Sequence, residues 1–333
     1  MTTIDRVRPR RRRGHLHAVA TMVAAGALAF IAPTVAAAAP VPGTVSVWGS
    51  NTWGQLDGAP TGDNVVTIAA GEFHSVALTS GGTIVSWGDN SDEQLSGQPT
   101  GSGYTAVAAG WGHSLALTSD GAIVVWGHQG NHQRSDTPVG TGYTAVAAGS
   151  DHSVALTADG TVVTWGNNDR HQRDGSPTDT GYTAIAAGGD HSAALKADGT
   201  ITVWGRSDQG QRIDAPTGSG YTALDVGTFH AVALAADGTV TTWGSTADGQ
   251  RQDAPTGNGY TAVSAGWGHS VAVKADGTIT VWGNDTDSQR VGAPTGSGYT
   301  AVAAGGWHTV ALKAQGQGST GSLDLLPGSL FGS

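Results

Sequence analysis

Residues 104–138 read YTAVAAGWGHSLALTSDGAIVVWGHQGNHQRSDTP. Three landmarks stand in this stretch: an Ala-Gly-x-x-His ending at His113, the pair Asp120-Gly121, and Trp126-Gly127. An Asp-Gly pair between two apolar runs signals a hairpin, because both residues accept the positive φ of a tight turn. Nearly the same string recurs along the chain in steps of 39 residues. Trp-Gly falls at Trp48, Trp87, Trp126, Trp165, Trp204, Trp243 and Trp282; the loop histidine falls at His74, His113, His152, His191, His230, His269 and His308. A glutamine keeps the same step from Gln55 to Gln289, as does a proline from Pro60 to Pro294, with no insertion anywhere.

Self-similarity at such a period marks a repeat architecture. Within one unit, YTAVAAG reads as a first strand and HSVALTADG as a second with its turn. The run into Trp-Gly reads as a third, and the stretch through Gln and Pro as a fourth. About 40 residues and four strands per unit is the arithmetic of a β-propeller. The first landmark is a Trp with no preceding loop histidine, and the last is a histidine with no following Trp. Joining Gly43–Gly49 to Tyr299–Ala314 therefore completes a unit and removes two sheet edges. The expectation is an all-β, closed seven-bladed β-propeller over residues 43–314, four strands per blade, its last blade completed by both termini.

Composition agrees with a packed core and limits the partners. The chain holds 53 Gly and 13% charged residues, yet also 11 Trp and 38% apolar residues, too apolar for a disordered chain. It has no cysteine, which excludes disulfides and thiolate metal sites. Residues 1–38 read as a secretory signal peptide: Arg6, Arg8 and Arg10 to Arg13, then an apolar run from Ala18 to Ile31, then Ala36-Ala37-Ala38. The apolar run is short for a membrane span, so no span is expected after cleavage. Without residues 1–38 the count falls from 16 basic and 26 acidic residues to 10 and 25, a formal charge of −15. Phosphate backbones are bound by clustered Lys and Arg, so no nucleic acid partner is expected. From residue 315 the chain reads as a flexible Gly/Ser tail, QGQGSTGS, with a short apolar end, LDLLPGSLFGS.

The motifs WGSNTWGQL (Trp48 to Leu56) and AAGxxHSxAL resemble the regulator of chromosome condensation repeat family, across all the units. The nucleotide-exchange activity for which that family is best known does not suit a secreted acidic chain. In repeat length, signal segment and loop style the sequence is closer to the secreted bacterial propellers that inhibit β-lactamases. That resemblance implies a partner gripped by aromatic and acidic loop residues on one face. Asp151 and Asp190 depart from it, standing where bulkier groups are implied. The family also includes a plant ultraviolet receptor that uses Trp in GWxH contexts; Trp111 and Trp267 stand in GWGH here, without the dense Trp and Arg cluster of a photosensor.

Comparison of the internal copies separates scaffold from surface. Strand alternation puts the Ala-Gly-x-x-His loop and the loop after Trp-Gly on one face, and the Asp-Gly turns and APTGSGY connections on the other. The second face is nearly the same in every copy, because Gly and Pro set its turns. The first differs in every copy. Its candidate partner-binding residues are Trp53, Phe73, Trp111, Asp151, Asp190, Phe229, Trp267 and Trp307; aromatic side chains of this kind carry most interface energy. The repeat His and Trp are read as structural: identical residues at one position mean one repeated hydrogen bond, with both ring nitrogens satisfied. The Arg that follows five of the glutamines (Arg134, Arg173, Arg212, Arg251, Arg290) is expected to pair with nearby Asp. Oxygen-rich runs at Asp89–Glu93 and Asn284–Ser288 lack the Gly and distal Glu of a full calcium loop, and His128, His132 and His171 offer only a weak metal signal. No catalytic residue, metal or cofactor is assigned. The expected protein is a secreted monomeric propeller that binds an extracellular protein, an enzyme such as a β-lactamase among the options. The alternative is an extracellular carbohydrate- or peptidoglycan-active enzyme or lectin.

Overall fold

The computed structural model describes residues 41–315; the signal segment read at residues 1–38, and the tail beyond Gln315, lie outside the described residues. Twenty-one short strands follow one another: β1 Gly43–Gly49, β2 Val65–Ala70, β3 His74–Thr79, β4 Ile84–Gly88, β5 Tyr104–Ala109, β6 His113–Thr118, β7 Ile123–Gly127, β8 Tyr143–Ala148, β9 His152–Thr157, β10 Val162–Gly166 and β11 Tyr182–Ala187. The chain continues with β12 His191–Lys196, β13 Ile201–Gly205, β14 Tyr221–Val226, β15 His230–Ala235, β16 Val240–Gly244, β17 Tyr260–Ala265, β18 His269–Lys274, β19 Ile279–Gly283, β20 Tyr299–Ala304 and β21 His308–Ala314. They pair as three-stranded antiparallel units, β2–β3–β4 through β17–β18–β19 in chain order. One further unit, β20–β21–β1, is built from both ends of the described chain, with Gly43 to Gly49 in register against Ala314 to His308. This is a β-propeller arrangement. Among the described residues no helix is long and apolar enough to cross a membrane.

Each unit has three strands where four were expected. The segment through Gln and Pro forms turns. Its glutamine side chain is buried and turned back on its own loop: the amide N–H two residues earlier donates to each Gln Oε1 at 2.8–3.0 Å in all the copies. The proline adds no donor to a ladder. A tryptophan from the next unit pins the turn: Trp87 Nε1 donates to the Gln55 carbonyl at 3.0 Å, and five further Trp do the same, Trp204 being the exception.

The first strand of each unit lies innermost. Its alanines bring neighbouring units close, and the glycine after it has no room for a side chain: a Cβ on Gly71 would stand 2.2 Å from the Gly110 carbonyl oxygen. Where the strand begins, six units carry a bulge at the Thr after Tyr, and its Oγ1 donates across the pair, as Thr105 does to the Leu117 carbonyl at 3.4 Å. A bulge raises local twist, which these short sheets need in order to stack around an axis. Apolar faces of adjacent sheets, Val76 and Leu115 among them, are wholly buried.

Histidine links unit to unit. His74 Nε2 is hydrogen-bonded to Ser114 Oγ at 2.7 Å, and the same bond recurs for His113–Ser153, His152–Ser192, His230–Ser270 and His269–Thr309. His308 returns it to Ser75 of the first unit at 2.7 Å. His191 lacks it, because Ala231 stands where the hydroxyl residue would be. The expectation that both ring nitrogens are satisfied holds for neither kind: Nδ1 of all these rings finds no partner among the described residues, and at His74, His113, His152, His269 and His308 it is packed close to the glycine three residues earlier. Burial holds each of them neutral, with pKa values lowered from 6.5 to about 3 or 4.

Candidate functional site

In every unit one backbone bond ties the two variable loops together. The residue after Trp-Gly donates its N–H to the carbonyl just before the repeat histidine, from Ser50 to Trp307 at 2.9 Å through Asn284 to Gly268 at 2.9 Å. Both loops therefore share one face, and the side chains that differ among copies stand on it.

Five of the candidate residues form one continuous row on this face. Trp53 meets Phe73 edge-on at 5.6 Å between centroids; Phe73 stacks on Trp307 at 5.3 Å; Trp307 stacks on Trp267 at 5.5 Å; Trp267 meets Phe229 edge-on at 5.4 Å. The row crosses four consecutive units, including the unit made from both chain ends. Trp53 is 53% exposed and the other four are partly buried. Arginine does not stack on it: the cation–π pairs among the described residues are Lys196–Tyr182, Lys274–Tyr260 and Lys313–Tyr299, at the ends of β12, β18 and β21 away from the loop face.

The remaining candidates lie apart from the row. Trp111 packs edge-on against His128 at 5.6 Å. Asp151 accepts from Asn131 Nδ2 at 2.7 Å and from Gln133 Nε2 at 3.2 Å. Asp190 accepts from Arg206 at 3.0 Å, Arg170 at 3.2 Å and Gln172 at 3.1 Å, and Arg206 also pairs with Asp208. The face thus has an aromatic arc and a polar, self-bonded arc. Two of the Gln-Arg arginines reach an aspartate, Arg251–Asp214 at 2.7 Å and Arg290–Asp253 at 3.6 Å. These two, with Arg173 and Arg212, also donate to the carbonyl of their own Trp-Gly glycine. No group of three metal-ligating side chains forms among the described residues: His132 turns to Ser135 and His171 to Asp174.

Two carboxyls near the axis were absent from the candidate set. Glu72 stands at the mouth of the axial opening, and its pKa is raised to about 7, mainly by burial and further by Asp151. Asp225 lines the axial cavity among alanines and is 6% exposed. It accepts from Ser264 Oγ at 2.7 Å and from the N–H of Ala265 and of Val226, while burial lifts its pKa to about 6. The signal for Asp225 and Ser264 lay in the repeat itself: the equivalent position is Ala69, Ala108, Ala147, Ala186 and Ala303 in the other copies. The His–Ser pairs have the spacing of an activated nucleophile, yet both partners are wholly buried and out of reach of substrate.

A family model described as the regulator of chromosome condensation (RCC1) repeat matches residues 65–94, 104–133, 143–172, 182–211, 221–250 and 260–289, more than half of the chain. No curated protein matches it. Among solved structures, Prp20p of Saccharomyces cerevisiae is 20% identical with a TM-score of 0.67, over 83% of this chain and 92% of its own. Human WBSCR16 is 19% identical at 0.65, over 81% and 100%. The ectodomain of the Arabidopsis thaliana receptor kinase ACR4 is 22% identical at 0.62, over 76% and 92%. At these identities the likeness is one of fold. With the repeat model spanning most of its units, the chain belongs to the regulator of chromosome condensation repeat family.

Proposed function

We propose that the units close into a seven-bladed ring and that this is a secreted, non-enzymatic binding propeller, which holds a protein partner on its variable loop face and inhibits an extracellular enzyme, a β-lactamase being the first to test. The aromatic row from Trp53 to Phe229 carries this reading. Its rings spend their flat faces on one another, two pairs stacked within 28° and two edge-on. A sugar is held on the open flat face of a ring, whereas a packed row presents edges and ridges that fit the side chains of a protein. Closure is supported by the His308–Ser75 bond and by the Gly306 N–H donating to the Gly71 carbonyl, the links that join neighbouring units elsewhere. Prp20p is described with binding to Gsp1p and histones, and in a second structure with Kap60; a protein partner suits the fold.

The carbohydrate-active reading draws on Glu72 and Asp225, whose raised pKa values suit acid catalysis. Asp225, however, has its oxygens occupied by two backbone N–H groups and a hydroxyl. Glu72 has Asp151 as its carboxylate neighbour, but Asp151 is bonded to Asn131 and Gln133, which leaves one freely available acid where glycoside hydrolysis uses two.

Calorimetric titration against a panel of class A β-lactamases, with chromogenic substrate hydrolysis followed in parallel, tests the inhibitor reading. The expected result is binding with loss of hydrolysis, weakened by about 2 kcal/mol or more in Trp267→Ala. Silence across the panel would remove the named target.

A further inference from the structure

The axial opening on the loop face is walled by the Ala-Gly glycines and by Glu72, Trp111, Ser150, Thr228 and Trp267. Among the described residues, Glu72 is the one ionisable group in that wall. Burial and the like charge of Asp151 both disfavour its carboxylate, and among the described residues neither a cation nor a hydrogen-bond donor acts the other way. Asp190, in contrast, is paired with two arginines. A carboxyl half-withdrawn from water, facing a second acid and lacking a counter-charge, is a site that gains from an incoming cation.

The surroundings narrow the kind of cation. Trp111, which lies outside the stacked row, adds π electrons, which attract an ammonium group. The cavity below is small, about 50 Å³. It is lined by alanines down to Asp225 and Ser264. A slender alkyl stem fits such walls, and a broad guanidinium fork does so less well. We infer that the mouth around Glu72 receives the ammonium group of a lysine projecting from the partner protein. This rests on the loop face being the partner-binding face, and it assigns a polar centre beside the aromatic arc.

The test needs no partner. Nα-acetyl-lysine methylamide is titrated into the protein, with n-butanol as the neutral stem and glucosamine as an amino sugar; tryptophan fluorescence and the Glu72 carboxyl carbon resonance are followed. The expected result is a saturable response to the lysine derivative, about tenfold or more weaker in Glu72→Gln, which matches the ~1.4 kcal/mol of a partly exposed charge pair. An unchanged melting temperature in Glu72→Gln shows that the loss is local, and Trp111→Leu is expected to weaken the same response. An equal response to n-butanol, a preference for glucosamine, persistence in Glu72→Gln, or no saturable response overturns the inference. Failure here leaves the aromatic arc standing, because that arc is tested against a protein partner by Trp307→Ala, at a residue that lies in the row and outside the axial wall.

Discussion

Single positions in this molecule gain their meaning from their six counterparts. His191 is buried like the other repeat histidines, yet its Nε2 has no partner because Ala231 replaces the serine or threonine found in the other units. Ala231→Ser restores a buried hydrogen bond in a site already shaped for it. It is expected to stabilise by about 1 kcal/mol and raise the melting temperature by about 2 °C; an unchanged or lower value in a thermal melt would show that the ring bond adds nothing. A second position works in reverse. The residue before the repeat glutamine is left-handed in every copy, glycine at Gly54, Gly210 and Gly249 but Ser288 with φ 63° and His171 with φ 63° elsewhere. Since Ser288 makes no side-chain bond that would hold it there, Ser288→Gly is expected to stabilise by about 1 kcal/mol, read as a shift in urea midpoint.

Elements show how far a sequence carries and where it stops. The 39-residue step, the Asp-Gly turns and the shared face of the two loops follow from local rules: alternation along strands and the backbone freedom of Gly. The expected fourth strand did not follow, because the Gln side chain turns back on its own loop and a Trp from the next unit pins that turn. The aromatic row lay beyond local rules for the same reason. Phe73 and Trp307 are 234 positions apart and stack because both chain ends enter one unit. Trp111, with the same GWGH context as Trp267, is left outside the row: on one side the next unit carries Asp151, and on the other Phe73 is engaged by Trp53 and Trp307. Trp307 is stacked on both sides, so Trp307→Ala breaks the row in the middle. It is expected to cost a bound protein about 2 kcal/mol or more, while Asp190→Ala, in the polar arc, costs under half of that. Equal losses would show that the two arcs share the load.

At the scale of the whole molecule, the buried histidines couple folding to pH. Above about pH 6.5 they are neutral in both the folded and the unfolded chain. As pH falls below that value the unfolded chain binds protons that the folded rings, with pKa values of about 3 to 4, refuse. Stability therefore falls between about pH 6.5 and 4, by up to ~1.4 kcal/mol per pH unit for each histidine. Asp225 and Glu72 act oppositely: their pKa values are raised to about 6 and about 7, so their contributions are complete at low pH and are lost as pH rises through those values. Two such groups do not offset the repeat histidines, and a denaturation midpoint that stays flat from pH 7 to 5 would contradict this balance. The same histidine bonds join unit to unit beneath a loop face whose side chains vary, and partner binding by the aromatic arc is the claim on which the functional account turns. The chain's three lysines, Lys196, Lys274 and Lys313, all lie at the ends of β12, β18 and β21 away from the loop-face histidines, so coupling to a support through them leaves the loop face free. The decisive measurement is capture on that support from the envelope and culture fluid of the cell that makes the protein, run in parallel with a Trp267→Ala/Trp307→Ala double variant of unchanged melting temperature. The account predicts a protein retained by the first and absent from the second; retention of the same protein by both, or capture of glycan alone, would contradict it.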